Sequence, residues 1–273
     1  MGESIVRGIK SLAIMLTLQL KAGLLTALSM QRLGKMAIAT VMERLEALRR
    51  TKLYDLLAAA PVIAWFIFSV AQMLPSLSQR LALLVMFVQT DPSVLPASLV
   101  FRTISEIMTL VFFAVLIVMF TVRYVPKPGN PGLYPRFAAM VGTFSSLGFL
   151  LLPPQELSQT LYLVSLLLLT AGTVLAIYAL LVLGRSISLV PEARRLVTKG
   201  PYALVRHPLY LGEMVAIAGI ALQHLSVWAL LLLCLAWAFQ FQRMKYEERV
   251  LFQSFPEYGE YMARTARLLP GVY

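Results

Sequence analysis

The chain has 273 residues, of which 59% are hydrophobic and 14% charged, and its mean hydropathy is +0.77. A soluble domain carries about 45–50% apolar and about 25% charged residues, so this chain lacks the polar surface to cover itself in water, and intrinsic disorder, a disulfide scaffold and a fibrous repeat are excluded with it. The net charge of +11 would suggest nucleic acid in a soluble protein, but in a membrane protein its distribution along the chain carries the meaning.

From the start, Arg7, Lys10, Lys21, Arg32 and Lys35 interrupt the apolar runs of residues 1–52 before any reaches spanning length. Ile5, Ile9, Leu12, Leu16 and Leu20 recur at spacings of three and four, which predicts a basic amphipathic helical region on the membrane surface. A cleavable signal peptide between Lys10 and Ala27 lacks a convincing small-residue cleavage site. N-terminal transmembrane helices are expected over 53–157 and a core with C-terminal helices over 158–273.

Apolar stretches of bilayer length fall at roughly 55–75, 104–122, 137–152, 158–183, 209–224 and 226–242, so the expected fold is an all-α polytopic bundle of about six spans. Leu81–Val88 is too short to cross and reads as an interfacial or re-entrant piece. Arg49, Arg50 and Lys52 precede the first span, Arg123, Lys127 and Arg136 follow the second, and a larger set from Arg185 to Arg267 flanks the last three. The opposite side has only Arg80 and Arg102, which places both termini and the basic loops in the cytoplasm. In a bacterium the membrane would be the inner one. Cys234 sits inside an apolar run and reads as a helix-core residue.

Polar residues condense into two clusters in the last third. The first, LGRSISLVPEARRLVTKGPYALVRHPLYLGE from Leu183 to Glu213, has a turn at Gly200-Pro201 and a proline, Pro208, suited to the first turn of a helix. Arg206 and His207 therefore stand at a helix entry, with Tyr210 within reach of both. Gly212 leaves room for a ligand or a neighbouring helix. The bland alternative is a basic loop holding lipid headgroups, which would suit Arg194 and Arg195. The second cluster runs from Phe239 to Tyr273. Gln240, Arg243, Glu247 and Leu251 progress along one helical face, with Arg243 and Glu247 spaced as an i,i+4 pair. The stripe Phe252, Phe255, Tyr258 and Tyr261 reads as packing.

Together, GPYALVRHPLYLG, the helical hairpin after it and YEERVLFQSFPEYGEYMARTARLLP resemble the isoprenylcysteine carboxyl methyltransferase family and its bacterial relatives, including phospholipid methyltransferases. The resemblance covers roughly residues 158–273. It implies a cytoplasmic-side pocket for S-adenosylmethionine, lined by Leu196, Val197, Tyr202, His207, Pro208, Leu209 and Tyr210 and closed by Glu247, with Glu248 beside it. Arg243 matches the arginine that contacts the methyl acceptor, and Arg206 is a second candidate. Leu209 stands where the eukaryotic enzymes have serine.

The implied acceptor is lipid-like, foremost the carboxylate of a prenylcysteine or a related isoprenoid or lipid. An ionised carboxylate needs no base, and Arg243 can orient it; an amine would have to lose a proton to His207, Glu247 or Glu248. Sterol reductases, which use NADPH, are similar in the C-terminal third, and a non-enzymatic lipid-binding scaffold is a third reading. With two histidines and one cysteine, no metal site is expected, and neither a P-loop nor a dinucleotide fingerprint is present.

Overall fold

A computed structural model of the protein describes residues 41, 44, 47, 48, 51–127, 129 and 132–271. The amphipathic stripe and the signal-peptide segment expected before residue 40 lie outside the described residues. The chain divides into two units, Met1–Tyr54 and Asp55–Tyr273. In the first, Thr51 Oγ1 accepts from the Tyr54 amide at 3.2 Å and so caps the helix that begins at Lys52.

The described elements are helical throughout. They are α1 (Lys52–Thr90), α2 (Ala97–Val122), α3 (Leu133–Phe144), α4 (Gln159–Leu183), α5 (Pro208–Gln223), α6 (Val227–Ser254) and the short α7 (Tyr258–Arg264). Among the described residues four helical segments, Lys52–Thr90, Ala97–Val122, Gln159–Ser186 and Val227–Ser254, are long and apolar enough to cross a membrane. The other two expected stretches form shorter pieces: α3 tightens into a 3-10 segment, Ser145–Leu151, and α5 has 16 residues.

The Leu81–Val88 run is not a separate piece. It belongs to α1, which continues through Pro61 and Pro75 for 39 residues, about 58 Å and well beyond a hydrocarbon core of about 30 Å. A proline within such a helix removes one backbone bond without ending it, so length judged from apolar runs divided one element into two.

Local signals set the helix starts. Ser158 accepts from Leu161 N at 3.4 Å and Ser226 from Ala229 N at 3.1 Å, which caps α4 and α6. Pro208 occupies the first turn of α5, as its missing N–H allows. Helix ends then meet in two groups. Tyr124 N donates to Arg185 O (2.8 Å) and Lys127 N to Ala193 O (2.7 Å) at one end of the bundle. Gln155 N donates to Gln223 O (3.0 Å) at the other, where His224 Nδ1 also lies 3.2 Å from Pro153 O. The basic loops thus share one end.

α4 and α5 pack most closely, because glycines face backbone across the contact. Gly172 lies against Gly212 and Ala216, and Gly219 against Ser165 and Leu169. Gly212 therefore makes room for a neighbouring helix. Across α2 and α4, Ser105 Oγ and Thr170 Oγ1 are 2.6 Å apart, and Trp237 Nε1 of α6 donates to Met214 O of α5 (3.3 Å).

Arg194 is not a headgroup anchor: its side chain is buried, and Nη2 donates to Asp55 Oδ1 (3.0 Å) and Glu192 Oε2 (2.9 Å), with Arg123 on the same aspartate. Arg195 stays exposed beside Tyr124. Phe255, Tyr258 and Tyr261 pack with Ala193 and Leu196, as the aromatic stripe predicted, while Phe252 is exposed.

Candidate functional site

The entry to α5 is fixed by the C-terminal segment. Arg206 N donates to Ala266 O (2.8 Å) and His207 N to Arg267 O (3.1 Å), around a parallel bridge between Val205 and Ala266. These bonds fix the residues just before Pro208, and His207 is buried, 4% exposed, stacked on Tyr210 with ring centroids 5.3 Å apart.

Below it lies a cavity of about 430 Å³. Its polar end is made by Tyr202, Arg206, His207, Tyr210, Glu213, Gln240, Arg243 and Glu247, with Ser188 and Thr143 at the margin. The rest is mostly apolar, with Trp65 and Phe66 from α1, Phe112, Phe113, Leu116 and Phe120 from α2, and Phe144 and Leu147, among which Thr109, Ser146 and Thr173 also line the wall. Its size and its mixture of an apolar wall with a few converging polar groups are those of a ligand site.

Arg243 is buried, and its guanidinium donates from Nη1 to Thr143 Oγ1 (3.1 Å) and from Nη2 to Ser188 O (3.4 Å) while lying 4.7 Å from the Tyr210 ring centroid. Neither contact is with a carboxylate. The i,i+4 spacing with Glu247 does not produce an ion pair: Glu247 Oε2 instead accepts from the Tyr210 hydroxyl on α5. Charge is therefore left available on Arg243 inside an apolar bundle, where it is expensive and tends to mark a site.

Glu248, one residue on, turns away from the cavity. Arg206 Nε (2.7 Å), Arg267 Nε (3.1 Å) and Arg267 Nη2 (2.6 Å) donate to it, and His207 Nε2 lies 3.2 Å from Oε1. Arg206 also donates to the carbonyls of Met262 (3.0 Å) and Thr265. Although Arg206 lines the cavity, its Nε and Nη1 are committed to Glu248 and the C-terminal segment.

Of the residues singled out in sequence, Tyr202, Arg206, His207, Leu209, Tyr210, Arg243 and Glu247 line the cavity together. Leu196, Val197, Pro208 and Glu248 are not in its wall. Leu196 packs with the aromatic cluster, Val197 against the core that holds Tyr202 and Leu209, and Pro208 is fully buried at the helix start. Glu213, Gln240, Thr143 and Ser188 complete the polar end. Gln240 lay on the face read from the α6 periodicity, and Glu213 one turn beyond Tyr210; nothing in the sequence announced Thr143.

Two buried polar atoms at this end have no partner among the described residues, the Tyr202 hydroxyl and Gln240 Oε1. Burial above all, with Glu247 second, holds the Tyr202 pKa well above its ordinary value, so the hydroxyl stays a donor.

Residues 160–258 match the family model of phospholipid methyltransferase. That family includes the isoprenylcysteine carboxyl methyltransferases, so the match agrees with the resemblance carried by the two polar clusters and supports a membrane methyltransferase family. The chain is 40% identical over 76 residues to the cobalt-zinc-cadmium resistance protein CzcN of Cupriavidus metallidurans, which is 28% of this chain and 35% of that protein. It is 35% identical over 80 residues to the nickel-cobalt-cadmium resistance protein NccN of Alcaligenes xylosoxydans xylosoxydans, 29% of this chain and 38% of that protein. The chain thus covers between 35% and 38% of the length of these curated relatives.

Proposed function

We propose that this protein is an integral membrane methyltransferase that uses S-adenosylmethionine and methylates the carboxylate of a lipid-like acceptor, such as a prenylcysteine or a related isoprenoid or lipid. One observation carries the reading. A single cavity joins a polar end, built mostly within the matched residues 160–258, to an aromatic remainder supplied largely by α1 and α2.

The donor set fits the cofactor. Its ammonium and ribose hydroxyls call for a carboxylate, which Glu247 offers, and its own carboxylate for neutral donors. The Tyr202 hydroxyl, buried and without a partner, is one such donor, and His207 and Tyr210 stand beside it. When bound, S-adenosylmethionine supplies an electrophilic methyl group on a sulfonium.

The chain's own residues then have three tasks. Glu247, Tyr202, His207 and Tyr210 hold the donor, with Leu209 as apolar wall. Arg243 presents N–H groups to the acceptor carboxylate and orients it, and because that group is ionised at neutral pH no side chain has to remove a proton. The aromatic walls receive the apolar chain and exclude water, so alignment supplies most of the catalysis. Arg206 lines the polar end and ties it to the C-terminal segment, while Glu248, Leu196, Val197 and Pro208 support the wall from behind.

The basic loops and the C-terminal segment share one end of the bundle, which we assign to the cytoplasmic face by the positive-inside rule, with both termini on that side. Detergent-purified protein is expected to gain thermal stability with S-adenosylhomocysteine and not with NADPH; the reverse result would falsify the methyltransferase reading in favour of a reductase. Labelled S-adenosylmethionine, incubated with the protein and a lipid extract, is expected to yield a base-labile label. A base-stable label would identify an N-methyl product and overturn the carboxylate assignment.

A further inference from the structure

Glu213 is a half-buried acid with no task in this scheme. It lines the cavity one turn beyond Tyr210 on α5, and Gln240 Nε2, a neutral amide, donates to its Oε2 at 2.8 Å. No ion pair reaches it among the described residues. A carboxylate among apolar helices is expensive and tends to mark a site. The amide that holds it has an orphan of its own, since Gln240 is buried and its Oε1 has no partner. Glu213 and Gln240 Oε1 are hydrogen-bond acceptors, so the ligand that completes them must donate.

Charge narrows the choice. Glu213 shares the cavity with Arg243 and has no ion pair of its own among the described residues, so an acceptor whose carboxylate lies on Arg243 leaves this acid without a counter-charge. An ammonium on the same head supplies one, and it donates where Glu213 and Gln240 Oε1 accept.

We propose that Glu213, held by Gln240, is a second recognition group for the acceptor: it takes the ammonium of a free amino-acid head whose carboxylate lies on Arg243. The spacing suits this. Gln240 and Arg243 are three residues apart on α6, about 5–6 Å between Cβ atoms, and the two charged groups of an α-amino acid are joined through one carbon. The assignment rests on the methyltransferase reading above.

The test uses the full chain in detergent, loaded with sinefungin, a cofactor analogue with an amine in place of the sulfonium. Binding of four probes is read from the shift in unfolding temperature: S-hexadecylcysteine, its N-acetyl derivative, 3-(hexadecylthio)propanoic acid and 2-(hexadecylthio)ethylamine. The wild type is expected to bind S-hexadecylcysteine at least ~10-fold more tightly than either anion or the amine. Glu213→Gln is expected to lose that preference while its affinity for the propanoic acid stays within ~3-fold of wild type. Gln240→Leu keeps the carboxylate but frees it, and a weakened preference with sinefungin binding retained serves should Glu213→Gln fold poorly.

Sinefungin stabilisation by itself reports on the methyltransferase reading, and its absence sinks that reading. With sinefungin bound, equal or absent binding of the probes, tightest binding of the bare amine, or an undiminished preference in both variants overturns the role of Glu213 alone.

Discussion

Alanine at Gly172, Gly212 or Gly219 perturbs the helix contact on which the site is built. A Cβ at Gly172 would stand 2.4 Å from Ala216 N and 2.6 Å from Gly212 O. At Gly212 it would stand 2.6 Å from Ala176 N, and at Gly219 2.6 Å from Ser165 O, where ordinary contact begins at 3.4 Å. The atoms struck are backbone and cannot rotate away, so α4 and α5 must part by roughly 1 Å. Overpacking of this kind costs about 1–3 kcal/mol and occasionally more, against about 1 kcal/mol gained in helix propensity.

Because the clashes are with backbone the cost falls at the upper end of that range, and each variant is therefore expected to lose about 2 kcal/mol net. Gly142→Ala, whose Cβ would come no closer than 3.4 Å to Phe239, is the control and should be neutral or slightly stabilising. Gly212 lies between Tyr210 and Glu213, so its variant should also weaken binding of S-adenosylhomocysteine about tenfold or more, whereas Gly219→Ala, two turns on, should mainly cost stability. Reversible denaturation in detergent with a parallel binding titration measures both quantities. Three glycine variants within about 0.5 kcal/mol of wild type would refute the close contact.

Tyr202→Phe removes a hydroxyl without a partner in the protein, so its unfolding temperature should hold while affinity for S-adenosylhomocysteine falls about tenfold; a large stability loss with unchanged affinity would show that the hydroxyl serves the fold. Glu248→Gln leaves Arg206 and Arg267 short of their counter-charge and should cost about 3–5 kcal/mol, with faster proteolysis after Phe255; unaltered proteolysis would count against its role as the anchor of the C-terminal segment. Burial pushes the Tyr261 phenol, which donates to Tyr202 O (2.6 Å), up to about 12 from an ordinary value of 10.0. Its folded pKa is the higher one, so its contribution is complete below pH 10 and is lost as pH rises toward 12. Tyr261→Phe should flatten that part of the stability profile, and an unchanged alkaline limb would exclude this phenol as its source.

Membrane insertion was legible because it is a sum over residues: composition and run length need no knowledge of what touches what. The α5 entry was legible too, since Gly200-Pro201, His207 and Pro208 act through their own backbone. So was the α6 face, because helical pitch alone puts Gln240, Arg243 and Glu247 in line. Partner choice was hidden. The sequence offered Arg243 to Glu247, but Glu247 answers to Tyr210 on another helix, and Glu248, read as part of the pocket, gathers Arg206 and Arg267 behind it. Asp55 meets Arg123 and Arg194 across separations of 68 and 139 residues.

By itself, then, the sequence determined that the chain is a helical membrane protein, where its charge gathers, and which residues of α5 and α6 carry the polar chemistry. Only the tertiary structure decided which of Glu247 and Glu248 faces the cavity, that Arg243 lines it with Thr143 and Ser188 as its hydrogen-bond partners, and that Glu213 and Gln240 join it. Pitch fixes a residue's place on its own helix, but the rotation and offset between helices come from packing, here from glycines on α4 and α5 that let two backbones touch.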